Sequence, residues 1–474
     1  MADSTISRRG LLAGGAAGAV AAAVATGPAA IAAVTEPLKK QELLIKRATV
    51  VSMDPQAGIQ TACDIHVRDG AIVAIGQNLQ APNATVIDGS NAIAMPGLID
   101  AHNHLWNAME RSIIRETIPG KGYFPVTLAL GKKYLPIDTY HSALLGAAEL
   151  LSCGVTTVNS WSHNLISPEY ANADLRALRD AGIRARFSYG SWQGGPAPDV
   201  PIDLAAIAKL AGNWDAHSNG GLIHLGVASR SPAVAPNKGP ITIETLKVEW
   251  DAARKLNLPL TVHSQIPGMM AMLDKAGMLA SDVQLVHPCN WTPADVDAVA
   301  KTKASACSAP TTDTRMYFGP IPLQDITKRD IVLAMSIDTA GVTGSMDMFT
   351  EIRAMYANQN TTYKAEDGIT PLQLLQIATI NGAKALGIAD KTGSLTVGKR
   401  ADIILLRTND LNMAPVSDPL EAIVRSARPH NVDTVIVDGA IVRQKSVFRH
   451  LDEKLIVANA VASFDAVKAR AGIS

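Results

Sequence analysis

Cysteine is scarce in this chain. Cys63, Cys153, Cys289 and Cys307 are the only four in 474 residues, and no two form a Cys-x-x-Cys pair. That pattern excludes a zinc ribbon and requires no disulfide framework, so the four read as small buried residues. Aromatic side chains are also thin, at 4%. An excess of either charge is missing: 43 basic residues balance 43 acidic ones. The chain therefore offers no electrostatic footprint for nucleic acid or an anionic membrane surface. Beyond the first residues no apolar run is long enough to span a bilayer. What remains is 47% hydrophobic and 18% charged, the balance of a well-packed globular protein. Its length suggests a large domain with an accessory one.

The first 34 residues read as a targeting segment rather than as part of the fold. Ser7-Arg8-Arg9-Gly10-Leu11-Leu12 is a twin-arginine signature, and an Ala/Gly-rich apolar stretch follows it. Ala30-Ile31-Ala32 supplies small residues suited to cleavage. The stretch is weak for insertion and broken by Gly27-Pro28, which favours export over a membrane anchor. The expectation is a folded protein carried to the periplasm, envelope or exterior, with no membrane span after cleavage.

Residues 35–94 contain short strand signals, Leu43–Ile45, Thr49–Val51 and Asp64–Val67, separated by turn clusters such as Asp54-Pro55-Gln56-Ala57-Gly58. From Met95 to Gly387 the rhythm changes to alternating strand and helix. Strands are expected up to His102 and at Val155–Asn159, Ala185–Tyr189, Leu222–Val227, Leu258–His263, Val283–Val286, Ala304–Cys307 and Ile331–Ile337. Helices are expected at Ser142–Cys153, Leu175–Ala181, Ile243–Leu256, Pro293–Ala300 and Met346–Ala357. Such alternation argues for a parallel sheet, and a right-handed crossover after each strand closes it as an α/β (β/α)8 TIM barrel. Residues 388–474 return to strands, with Asp438-Gly439 as a hairpin turn, and finish in a helix from about Leu451. The two β-rich ends are expected to pair into a small composite β-sandwich beside the barrel.

Chemistry collects at the strand ends. In Met95-Pro96-Gly97-Leu98-Ile99-Asp100-Ala101-His102-Asn103-His104 an apolar strand delivers two histidines one residue apart. Residues i and i+2 of a strand share a face, so both imidazoles can aim at one point. Two satisfied structural histidines are the plainer reading of His-x-His alone. His263, His287 and Asp338, each ending a later strand, turn the balance to a metal site.

These residues resemble a known family. The first-strand motif is similar to the signature of the metal-dependent amidohydrolase superfamily, in the branch of s-triazine hydrolases and adenosine- or guanine-type deaminases. Gly393-Ser394-Leu395, Gly398-Lys399-Arg400-Ala401-Asp402 and Val432 through Gly439 look like its C-terminal hallmark. The resemblance implies a barrel flanked by a β-sandwich, with the site at the C-terminal strand ends. It makes His102, His104, His263 and Asp338 the metal ligands, Asp338 also facing the attacking water, and His287 a substrate- or water-bonding histidine. Three imidazoles and a carboxylate suit zinc, with iron, cobalt or manganese as alternatives. Strand four, Leu222–Ala228, carries no lysine to bridge two ions, so one divalent metal is expected. His224 within it reads as a core or lining residue. A homo-oligomer is also implied.

One departure stands out. The deaminase branch has His-x-x-Glu after strand five, whereas this chain has His263-Ser264-Gln265-Ile266. Isoleucine cannot deliver a proton, and neither can Gln265, which leaves proton transfer to Asp338 and His287. That favours hydrolysis of a carbonyl C–N bond of amide, carbamate or urea type over heteroaromatic deamination or dehalogenation. A metal-dependent lyase and an inactive binding barrel are further alternatives. Trp106, Trp161, Trp192 and Trp291 follow strands one, two, three and six. With Gln265 they are candidate contacts to a small, aromatic-bearing substrate, the only partner expected besides a second copy of the chain. Arg111 and His163 are lesser candidates.

Overall fold

The computed structural model describes residues 33–232, 240–362, 364 and 368–473. The expected export signal lies outside them but for its last two residues. Among the described residues no helix is long and apolar enough to cross a membrane.

Five strands come first: β1 (Leu43–Val51), β2 (Ile59–Arg68), β3 (Ala71–Gly76), β4 (Thr85–Asp88) and β5 (Ala92–Pro96). Where two strands were expected before residue 52 there is one, bent by a bulge at Arg47, whose φ is 58°. Four more strands lie near the C-terminus: β14 (Ile403–Arg407), β15 (Val432–Val437), β16 (Ala440–Gln444) and β17 (Val447–Phe448). All nine form one sheet, in the order β17-β16-β15-β14-β5-β1-β2-β3 with β4 beside β1. The two ends thus share one apolar core, which includes Leu43, Ile65 and Ile72 from the first and Ile403, Leu405 and Ile436 from the second. Asp438-Gly439 makes its hairpin with φ of 52° and 78°. Because Met95 and Pro96 pair with Ile404 and Ile403, the sheet takes two residues beyond the expected boundary at 94.

The barrel strands are β6 (Leu98–Asn103), β7 (Val155–Ser162), β8 (Arg184–Tyr189), β9 (Ile223–Ser229), β10 (Leu260–His263), β11 (Val283–Val286), β12 (Ser305–Ser308) and β13 (Leu333–Met335). They pair in parallel and in chain order. A bridge between Asn103 and Asp338 joins the last segment to the first. The expected helices are present, and others escaped the apolar periodicity, among them Tyr123–Gly131, Leu204–Gly212 and Met269–Lys275. Tyr123–Gly131 reads YFPVTLALG, apolar nearly throughout, so no face is marked.

Two features fix the barrel strands where they meet the sheet. Gly97 lies so close to Thr156 that a Cβ would stand 2.0 Å from its Oγ1, which explains the glycine without appeal to flexibility. Arg184 on β8 reaches Asp402, just before β14, with Nε 2.6 Å from Oδ2 and Nη2 3.0 Å from Oδ1, both side chains buried.

Candidate metal centre and substrate cavity

The simple alternation expected for the first strand is broken by a bulge. Asp100 pairs with Val158 and Asn103 with Ser160, two residues opposing one between them. Bulges re-aim side chains beside active sites, and this one turns the Ala101 carbonyl inward. Asn159 Nδ2 and Gln284 Nε2 each donate to it at 3.0 Å, Ser188 Oγ donates to Asn159, and Thr261 Oγ1 to Gln284. This satisfied polar layer forms a rigid floor, because a buried network with every partner made admits few alternatives.

Above it the expected ligands converge. His102 Nε2 and His104 Nε2 stand 3.0 and 3.2 Å from Asp338 Oδ1, and His263 Nε2 lies 3.4 Å from His102 Nε2. Two sets, His102/His104/His263 and His102/His287/Asp338, present donor atoms within 4.8 Å of one another. Ligands about 2.0–2.1 Å from a tetrahedral ion stand about 3.4 Å apart, so the donor spacing fits one divalent cation. His102 and His263 suit the task because burial favours their neutral forms. Burial pushes His102 down to about 3 and holds His263 well below its ordinary value. His104 Nδ1 faces the Trp161 carbonyl at 3.3 Å, which leaves Nε2 for the cluster. Burial opposes ionisation of Asp338, yet the neighbouring His102 and His104 rings hold its carboxyl well below the usual range.

Asp338 and His287 both have left-handed backbone, with φ of 71° and 59°. Such strain in a residue other than glycine costs about 1–3 kcal/mol and persists where the surroundings enforce it. Here His104 N–H donates to Asp338 O at 2.7 Å, Asp338 N–H to His102 O at 3.1 Å, and His287 N–H to Cys307 O at 2.8 Å.

Three supporting residues were missed in the sequence. Asp100 accepts from His102 N, Ile337 N and Asn103 Nδ2, tying the first ligand strand to the last. Asp313 Oδ1 lies 2.7 Å from His287 Nδ1, while Oδ2 accepts from Ser308 Oγ at 2.8 Å. Burial works against a charged His287, but Asp313 outweighs it and raises the imidazole's pKa. Its signal was Pro310 opening a short helix with an acid in the first turn. Asp295 holds the segment after His263, accepting from Gly268 N and Ala271 N.

A cavity of about 690 Å³ opens onto the cluster. Trp161, Trp192, Gln265, Ile266 and His163 line it, together with Tyr123, Phe124 and Phe318. Trp161 stacks on His263, ring centres 4.1 Å apart. Gln265 Oε1 is buried and has no partner among the described residues. Trp106 and Trp291 are corrections to the expected contacts: both are buried behind the wall. Loop packing turns their indole N–H groups inward, Trp106 to His163 Nδ1 at 3.0 Å and Trp291 to Ser264 O at 2.9 Å. Arg111 pairs with Glu149 at 2.5 Å, a structural role, and His224 stays outside the cavity lining. All four cysteines are free and buried.

The profile described as the amidohydrolase family matches residues 93–442. A 5'-deoxyadenosine deaminase of Methanobrevibacter smithii is 26% identical over 445 residues, which is 90% of this chain and 98% of that protein. A 5-methylthioadenosine/S-adenosylhomocysteine deaminase of Acetivibrio thermocellus is 26% identical over 88% of this chain and 97% of its own length. Among solved structures, a zinc-bound adenosine deaminase of Xanthomonas campestris superposes with a TM-score of 0.80 at 23% identity, over 91% of this chain and all of that one (100%). An atrazine chlorohydrolase of Arthrobacter aurescens in complex with zinc gives 0.78 at 22% identity, over 89% and 99%. At such identities these structures speak for the fold.

Proposed function

The chain belongs to the amidohydrolase family, hydrolases acting on C–N bonds, and from that premise we propose that it cleaves a carbonyl C–N bond of amide, carbamate or urea type in a small molecule with an aromatic group and no anionic one. One observation carries the choice. Among the described residues lining the cavity, Asp338 is the only carboxylate, and Ile266 fills the wall where the deaminase pattern places its acid. A single carboxylate can shuttle one proton, which suffices for an amine leaving group.

Zinc, as one ion on His102, His104, His263 and Asp338, would polarise the carbonyl and acidify a water when bound. Asp338 takes the proton of the attacking water as its oxygen joins the carbonyl carbon. The same carboxyl returns that proton to nitrogen as the C–N bond breaks. Asp313 favours the protonated form of His287, whose Nε2–H donates to the carbonyl oxygen as charge builds there. Gln265 Oε1, without a partner of its own, accepts the substrate's N–H. Trp161 and Trp192 pack the aromatic group. The substrate carries no anionic group, because Arg230, the cavity's guanidinium among the described residues, is already committed. Its terminal nitrogens donate to the carbonyls of Pro196, Ala197, Val200 and Pro240 and to Glu249 Oε1.

The test is a panel of anilides, aryl carbamates and phenylureas beside aminopurines and aminotriazines, with zinc-loaded protein and products scored by mass. Amine release from the first group is expected. Ammonia release from the second group, with the first untouched, overturns the reading. Deamination is the second reading, favoured by the deaminase relatives that match along nearly their whole length. Export by the twin-arginine route and assembly as a homo-oligomer complete the proposal; cell fractionation and light scattering test them.

A further inference from the structure

His163 follows β7, lines the cavity and packs edge-on against His104, ring centres 4.3 Å apart. Its Nδ1 lies 3.0 Å from Trp106 Nε1. An indole N–H donates and never accepts, so this contact exists only if Nδ1 is bare. The neutral ring must then carry its one proton on Nε2. The Trp161 carbonyl stands 3.4 Å from the same Nδ1, a longer approach that cannot take a proton already excluded by Trp106. Nε2 has no partner among the described residues. Trp106 is fully buried and set edge-on to Tyr134, whose hydroxyl donates to Glu110 at 3.0 Å. The indole is therefore clamped from behind.

We propose that His163 is a specificity residue, a fixed Nε2–H donor that orients substrate by binding an acceptor atom one or two bonds from the scissile carbon, with Trp106 as the positioning residue that sets its tautomer. This deepens the function proposed above and rests on it. The donor keeps its proton throughout, so it orients rather than shuttles. Its place beside the ligand His104 puts it next to the carbonyl under attack. The chemistry it selects is a carbamate ester oxygen or the ring nitrogen of a heteroaryl acyl group; beyond the carbonyl oxygen, which His287 takes, a plain anilide offers no such atom. A site built to bond a polar group discriminates against an analogue lacking it, because the buried donor is left unpaired.

Selective ¹⁵N-histidine labelling of the zinc-loaded full chain, with His163→Gln assigning the signal, should show His163 with Nδ1 unprotonated. Trp106→Phe should spread the proton over both nitrogens. Matched aryl carbamates and anilides give the kinetic arm. His163→Leu should raise KM for the carbamate about tenfold and erase its advantage over the anilide, with zinc content unchanged. His163→Gln, whose amide nitrogen reaches where Nε2 stood, should restore KM; His163→Asn should not. A proton found on Nδ1 overturns the proposal, as does an unchanged carbamate preference in His163→Leu. A panel on which even the parent is inert removes the functional reading and the substrate contact with it, while the spectrum still judges the tautomer.

Discussion

The composite sheet and the barrel mouth hold their buried acids in opposite ways. In the sheet, carboxylates meet cations. Burial opposes the charge of Asp64 and Asp438, but Lys46 holds the first down and Arg400, Lys40 and Arg184 the second, so both lie below the usual range. Around the mouth, Asp100, Glu110 and Glu351 lie buried with no ion-pair partner among the described residues. Burial lifts Asp100 to about 7, Glu110 to about 8 and Glu351 to about 8. Backbone exceptions divide the same way. In the sheet they fall at turns such as Asp69 and Asp438 and at bulges such as Arg47, and in the mouth at His287 and Asp338. The sheet is built to stay together, whereas the mouth spends stability to converge donors on one point.

That contrast can be broken or sharpened by experiment. Asp338→Asn should lower kcat by about 10²–10⁴, the worth of acid–base help, while circular dichroism and Tm stay near the parent's. Near-parent turnover would remove its assigned role. Arg184→Met in the other region should do the reverse. Leaving Asp402 buried without its partner costs about 3–5 kcal/mol in denaturant unfolding, with kcat per folded molecule unchanged. Asp313→Asn should reduce activity by about 10–100-fold without loss of zinc by elemental analysis, since it touches His287 and no proposed ligand besides.

The smallest effect is on pH. Glu110 keeps its proton when folded, up to about 8, while the unfolded chain releases it near the ordinary carboxylate value of 4.5. Between those values the unfolded state binds fewer protons, so stability falls as pH rises. Glu110→Gln removes that term, and its Tm should decline less than the parent's from about pH 5 to about pH 9. An equal decline in both would show that Glu110 does not carry the effect.

How much of this was legible follows the same division. His102, His104, His263 and Asp338 could be found because each stands at the end of an apolar strand, and strand ends of a barrel point to one place. The hairpin at Asp438-Gly439 announced itself through its turn residues. Trp106 and Trp291 did not separate from Trp161 and Trp192, because whether a loop side chain faces a cavity or its backing depends on packing from distant segments. Asp313 lies 26 residues beyond the histidine it orients, on a six-residue helix too short for periodicity to mark. The register bulge at Ala101–His102 left no trace in a sequence that alternates equally well either way.

The bridge between Asn103 and Asp338 makes the seam of the ring and the reaction centre one object. The strand at that seam, β13, is only three residues long, and we expect thermal breathing of the cylinder to begin there. Any parting of the seam carries Asp338 away from His102 and His104 before the sheet or the outer helices loosen. Heating should therefore extinguish turnover ahead of global melting, and a clamp across those two segments would lengthen the working life of the catalyst more than any reinforcement elsewhere.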